Sequence, residues 1–262
     1  MFDTGRGSRS SGSTRWRSQG HRGCFPERPC RASKDSDYAP SVLKLLLGRA
    51  WFATTALVVL GGLVAQVIAT ARLDKGYFDS DASRIANVFC YFTVQSNIIV
   101  MVTSAILAVR LGRRQTSFWV LRLDGVLCIT VTFVVFHVSL ASLQDLEGLA
   151  KLADFLLHTA SPLLCVVGWL VFGPRGHTSW RTVRLSVIFP VAWLIFALVR
   201  GPLVGGFYPY PFLDVGDLGY PRVLLNAAMV ALFFLALASA SHLADVRLDR
   251  SWKTRVRRWL PG

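Results

Sequence analysis

The sequence has almost nothing that a metal, nucleotide or dinucleotide enzyme requires. It contains no CxxC pair, no HExxH, no EF-hand loop, no Walker loop and no GxGxxG opening a helix. Its five cysteines are spread out. Cys24 and Cys30 lie in a polar tail without metal-ligand partners, and Cys90, Cys128 and Cys165 lie in apolar stretches, where a small packing role is usual. The expectation is no metal and no cofactor. Acids are also scarce, 15 against 29 Lys and Arg, for a net charge of +14. Such an excess can indicate a nucleic-acid partner. No folded basic module is present to make one, so no nucleic acid is expected.

What the chain does have is six long apolar runs: 50–71, 85–109, 120–143, 155–172, 182–199 and 223–243. A bilayer core needs about 20 helical residues to cross it. A backbone without water must satisfy its own hydrogen bonds, which makes helices the expected spanning form. The third and fifth runs are less clean, with Arg122, Asp124 and Arg184 near their starts. The reading is an all-α polytopic membrane protein with six transmembrane helices. The bundle occupies 41–245, between a basic tail at 1–40 and a second basic tail at 246–262.

The basic residues alternate. Ten lie before residue 50, four at Arg110, Arg113, Arg114 and Arg122, three at Arg175, Arg181 and Arg184, and six from Arg247 to Arg258. Together they make 23 of the 29, and the intervening loops hold eight of the 15 acids. Cytoplasmic loops retain Lys and Arg, so both termini are expected inside, in a multi-pass plasma-membrane protein. The Arg247–Arg258 segment suits anionic lipid, at about 1 kcal/mol for each basic residue near the surface. Residues 1–40 are rich in Arg, Ser and Gly and are expected to be disordered. No apolar stretch stands near Met1 as a signal peptide requires. Translation starting near Val42 is the alternative account of this tail.

Polar residues inside spans are costly and often functional. On the expected topology Thr93, Gln95, Ser96 and Asn97 fall near mid-membrane in the second helix. His158, Thr159, Ser161 and Pro162 lie in the outer half of the fourth. Asn226 begins the sixth, His137 nears the outer end of the third, and Arg200 closes the fifth. Thr93, Ser96 and Asn97 share a face at i, i+3 and i+4, as do His158, Ser161 and Pro162. Pro162 also frees the carbonyl of His158. The inner half offers only Asp124, Thr130 and Thr132. Seven of these outer residues are expected to line one cavity open to the outer leaflet. Each has a packing alternative: back-bonding for Thr and Ser, interhelical bonding for Asn and His, snorkelling for Arg200.

The stretch after the fifth run, Phe207-Tyr208-Pro209-Tyr210-Pro211-Phe212-Leu213-Asp214, alternates Tyr and Pro, which holds the backbone extended. It reads either as a re-entrant plug or as a lid over the cavity, with Tyr208, Tyr210 and Asp214 as its distinctive members.

For chemistry, a threonine hydroxyl needs a base to take its proton. Thr93 is the candidate nucleophile and His158 the candidate base, with His137 second. With Asp124 expected near the other face, no intramembrane carboxylate is expected to orient the imidazole. That role would fall to Asn97, Asn226 or a backbone carbonyl. An Asn or Gln side chain, Asn97 or Gln95 among them, would hold an oxyanion. Arg200 would bind the carboxylate of an incoming lipid. The competing class is a lipid-binding protein or small carrier without chemistry.

Phe92-Thr93-Val94-Gln95-Ser96-Asn97, His158 with Pro162, and the Arg200-Gly201-Pro202 and Tyr208–Asp214 block ending at Gly219-Tyr220 carry a resemblance. Over roughly 45–245 the chain resembles a bacterial family of six-span membrane proteins. More distantly it is similar to the androgen-induced and androgen-dependent TFPI-regulating membrane proteins of animals. Those are six-helix hydrolases of fatty-acid esters of hydroxy fatty acids that use a threonine and a histidine. The resemblance implies Thr93 and His158 in those roles, with membrane lipids as partners and a lipid ester as substrate. The Tyr208–Asp214 block has no counterpart in the animal enzymes.

Overall fold

The computed structural model describes residues 42–258 apart from 75, 112–114 and 144, with side chains up to residue 249. The expected disorder of 1–40, and Cys24 and Cys30 with it, lies outside the described residues. The described residues form helices joined by turns, with no strand among them. Six helices are long and apolar enough to cross a membrane: Val42–Ala71, Phe92–Val109, Thr116–Leu140, Gly148–Val171, Trp180–Leu203 and Val215–Asp249. These match the six apolar runs one for one, and they make this a multi-pass integral membrane protein.

In chain order the elements are α1 (Val42–Ala71), α2 (Asp81–Val88), α3 (Phe92–Val109), α4 (Thr116–Val135), α5 (Gly148–Phe155), α6 (Ser161–Val171), α7 (Trp180–Ser186), α8 (Ile188–Leu203) and α9 (Val215–Arg258). Two spans contain a π-helical turn. Phe136–Leu140 extends α4, and Leu156–Ala160 joins α5 to α6. The second precedes Pro162, which has no N–H to give the His158 carbonyl, so the regular ladder cannot continue across this point. Near its start α9 is kinked at Gly219, whose φ of 72° suits a residue without Cβ.

Two boundaries differ from the hydropathy reading, and both move the site. The run expected to begin at Ile85 is interrupted at 89–91, where α2 ends and α3 starts afresh at Phe92. Thr93 therefore lies in the first turn of its helix, not near mid-span. The fourth span begins at Gly148, well before Phe155, because Lys151 and Asp154 lower the hydropathy without interrupting the helix. Asp154 is thus a turn before His158 on one continuous span. At the chain's end, α9 continues through Arg258, past the 245 boundary of the expected bundle.

α4 is the central helix. From Arg122 to Ile129 every residue is buried, and α4 packs against α3, α6, α7 and α9. Small residues bring the helices together, the usual device where lipid is as apolar as the side chains. A Cβ on Gly125 would come 3.3 Å from Ile99, one on Gly62 2.8 Å from Leu157, and one on Gly168 2.8 Å from the Trp51 indole nitrogen. Leu57 and Leu232, each 67% exposed, belong to the apolar faces such a bundle turns to hydrocarbon. At the end of the bundle remote from α2, the buried Asp245 carboxylate accepts from the Gly176 and Thr178 N–H groups at 3.1 and 2.8 Å, fixing the α6–α7 loop to α9.

Candidate functional site

The end of the bundle bearing α2 and the 204–214 loop is organised by non-local bonds. Arg84 of α2 donates to the carbonyls of Leu73, Phe78 and Asp79 and pairs with Asp81, gathering the α1–α2 loop around its guanidinium. Tyr77 donates to the Gly205 carbonyl at 2.6 Å, and its ring packs with Phe78 and Phe207. The two loops therefore form one aromatic cap.

Beneath this cap is a polar cavity of about 640 Å³. Its polar lining comes from Gln66 and Thr70 of α1, Arg84 and Asn87 of α2, Thr93 of α3, and Asp154 and His158 of the fourth span, with Tyr91 and Tyr210 beside them. Of the polar residues placed at such a cavity from sequence, Thr93, His158 and Tyr210 line it. The cavity adjoins an apolar cleft of about 170 Å³ between α4, α8 and α9. Thr93, Phe136, Leu140 and Tyr210 line both.

Tyr210 is the hinge of this arrangement. Its buried hydroxyl accepts from the Thr93 N–H at 3.1 Å and lies 3.2 Å from Thr93 Oγ1. Tyr91, at the N-cap of α3, makes no side-chain cap, so the phenol satisfies one of the orphan donors of that terminus from a distant loop. Burial pushes the Tyr210 hydroxyl up to about 12, the Thr93 bonds pulling the other way. It therefore remains protonated through the neutral range.

His158 is held by its own helix. Nδ1 lies 2.9 Å from Asp154 Oδ1 and 3.2 Å from the Asp154 carbonyl. Both neighbours are acceptors, so Nδ1 carries the proton and Nε2 offers a lone pair. The ring stacks on Phe136 with centroids 4.0 Å apart and planes 11° from parallel. Nε2 has no hydrogen-bond partner among the described residues. The expectation that no intramembrane carboxylate stands ready to orient this imidazole is corrected. Asp154 does so, because the helix starts earlier than the apolar run suggested.

Asn97 locks the two halves together. Its Nδ2 donates to the Thr93 carbonyl at 2.9 Å and to the Leu157 carbonyl at 3.1 Å, tying the turn of Thr93 to the turn of His158. With both amide hydrogens committed, it has none for an oxyanion. Thr93 and His158 share the cavity, and no hydrogen bond joins them; the hydroxyl's partner is Tyr210.

The remaining sequence candidates lie elsewhere. Gln95 donates to the Phe89 carbonyl at 3.1 Å and lines neither cavity nor cleft. Ser96 bonds back to Phe92 and Thr93. His137 is exposed, with Nδ1 2.9 Å from the Phe133 carbonyl and Nε2 3.4 Å from Thr159 Oγ1. Asn226 donates to the Phe212 carbonyl at 2.9 Å, anchoring the loop. Arg200 lies over the Phe78 ring and lines neither cavity nor cleft, so the cation at the cavity is Arg84 instead. Tyr208 packs over Gly201, where a Cβ would run into its ring. Asp214 accepts from Gly216 and Asp217 N–H at the start of α9. The residues that sequence reasoning missed are Asp154, Arg84, Asn87, Gln66 and Thr70. Only Asp154 had a readable signal, its i,i+4 spacing to a histidine.

Comparison with known proteins brings no further constraint: no family model, curated protein or solved structure matches this chain.

Proposed function

We propose that this protein is a membrane hydrolase of lipid esters, with Thr93 as nucleophile and His158 as general base. The observation that carries the reading is a carboxylate-oriented histidine with a free Nε2, in the same cavity as a buried threonine hydroxyl. The distant resemblance to threonine hydrolases agrees with it. On the topology expected from the Lys and Arg bias, with both termini in the cytoplasm of a plasma-membrane protein, the cavity belongs to the outer side.

The chemistry is that of an activated nucleophile. Thr93 Oγ1 bonds to the acyl carbon while its proton passes to His158 Nε2, and Asp154 stabilises the imidazolium. The tetrahedral intermediate expels the alcohol, which leaves with that proton. Water then attacks the acyl-threonine and gives a proton to Nε2. Collapse releases the acid and returns the proton to Thr93 Oγ1. Tyr210, neutral and already at Thr93, is positioned to donate to the developing oxyanion. The step requires the Thr93 hydroxyl to exchange its Tyr210 partner for His158 Nε2.

Hydrolysis of a panel of long-chain acyl esters by the detergent-purified chain tests this, beside Thr93→Ala and His158→Ala. Activity in the parent that falls by about 10³-fold in both folded variants supports the reading. No activity across the panel, or activity untouched by both substitutions, rejects it. The second reading is lipid binding without chemistry, and the Thr93–Tyr210 bond is the observation that favours it. Saturable lipid binding by a chain that hydrolyses nothing would establish that reading.

A further inference from the structure

The apolar cleft beside the cavity has a shape and an opening that the hydrolytic chemistry alone does not call for. Its floor is buried, at Val131, Trp193 and Phe234. Its rim is open: Val191 of α8 and Leu235 of α9 are 47% and 45% exposed, and Ala231 beside them is exposed too. The cleft therefore opens sideways, toward the hydrocarbon, while its inner end meets the polar cavity at Thr93 and Tyr210. Polar side chains are nearly absent from its walls, where Thr93, Thr132 and Tyr210 are the exceptions.

We propose that this cleft is a binding site for a single acyl chain, which slides in from the bilayer between α8 and α9 and delivers its carbonyl carbon to Thr93 and Tyr210. The inference rests on the hydrolase reading for the identity of the reacting bond. The chain site itself stands on the geometry of the cleft.

Two physical arguments fix the class of ligand. The first is volume. At about 10–15 Å³ of such space for each water-sized unit, 170 Å³ takes roughly a dozen carbons of one chain. The rest of a longer chain extends past Leu235 into the bilayer. The second is energetic. A chain leaving hydrocarbon for an apolar cleft gains no hydrophobic free energy, because lipid tails are as apolar as the walls. The cleft therefore supplies register, not affinity, and affinity comes from the polar end. The ligand must accordingly carry a polar group next to its carbonyl end, sized for the adjoining 640 Å³ cavity. That describes the ester of one fatty acid with a polar alcohol portion.

The small residues on α9 create the space. Ala227 and Ala231 lie one turn apart on the cleft wall. A ring at 231 would occupy the volume of the chain.

The test uses the full chain carrying Thr93→Ala, so that no turnover intervenes, in phosphatidylcholine nanodiscs. The probe is a palmitoyl ester with a diazirine about six carbons from its carbonyl. Photolabelling is expected on the cleft-lining segments of α4, α8 and α9. Ala231→Phe should lower it by about fivefold or more, whereas Leu232→Phe, on the lipid face, should not. Ala227→Leu, a smaller insertion, should also lower it and keeps the test open if the ring at 231 disturbs folding. Labelling spread evenly over lipid-facing helices, or unchanged in both alanine variants, would overturn the proposal. Cleft labelling in a chain whose Thr93 form hydrolyses no ester would leave the acyl site standing and reject only the hydrolase.

Discussion

His137 and His158 occupy the same kind of backbone and meet different neighbours. Each sits in a five-residue π-helical turn, and each points Nδ1 at a carbonyl four residues earlier, Phe133 or Asp154. His137 is exposed, and its Nε2 is engaged by Thr159. His158 is largely enclosed, faces the polar cavity, and has a carboxylate on Nδ1 with Nε2 free. The irregular turn sets where an imidazole points, and the residue one turn back decides what it can do there. Phenylalanine at 133 supplies a ring to pack against; aspartate at 154 supplies a carboxylate 2.9 Å from Nδ1.

The largest effect should separate these two rings. His158→Ala is expected to cost about 10³-fold in ester hydrolysis, the usual scale for losing a general base. His137→Ala should stay within about twofold, as for a surface substitution. Equal losses from both, measured as kcat/KM on one ester, would mean that the carboxylate is not what distinguishes them. Next in size is Asp154→Asn. The amide can offer Nδ1 a hydrogen and so favour the wrong tautomer. A loss of about 10²-fold in kcat with KM little changed is expected. Unchanged kcat would reduce Asp154 to a helix-surface partner.

How much of this was legible follows from what each feature depends on. Six spans could be read from composition, because a helix in lipid needs only length and apolarity. Thr93 and His158 could be named because polar groups in such runs are rare. Their surroundings were less legible. Asp154 was missed because hydropathy ends a span where charge begins, whereas the backbone ends it only at Glu147. Arg200 was named because it closes the fifth helix at its outer end; Arg84 reaches the cavity only because three carbonyls of the α1–α2 loop wrap it. Asn226 and Gln95 proved to be backbone ligands, a role any buried amide can take and no spacing announces. The π turns depend on tertiary packing, and Pro162 gave the location of one.

A smaller effect concerns what holds the His158 turn in place. Gly62 and Gly61 are neighbours on α1. A Cβ at 62 would meet Leu157 at 2.8 Å, while one at 61 meets nothing within 4 Å. Gly62→Val should therefore destabilise by about 1–3 kcal/mol through overpacking, and Gly61→Val by less than about 0.5 kcal/mol. Denaturant unfolding in a single detergent measures both. The activity of folded Gly62→Val should fall as well, because Leu157 immediately precedes His158 and its carbonyl is the acceptor that ties this turn to Asn97. Gly62→Val that left both stability and activity intact would show that the turn tolerates displacement, and that the geometry around His158 is looser than its bonds imply.

The smallest effect acts from the Thr93 side of the cavity. Asn226 holds the Phe212 carbonyl at 2.9 Å, and Tyr210, stacked on the Phe212 ring, holds Thr93. Asn226→Ala removes one bond of a kind worth about 1 kcal/mol, so the global fold should survive while the 207–214 loop opens more often. Hydrogen exchange should show this as faster exchange at Phe212, Leu213 and Asp214, and at the Thr93 N–H whose acceptor is Tyr210. No such change belongs at His137, which shares no bond with that loop. Faster exchange at Phe212–Asp214 alone would mean that Tyr210 keeps its place by ring packing between Trp193 and Phe212. Faster exchange at Thr93 as well would show that a single amide in α9 controls the hydroxyl that the proposed chemistry must free.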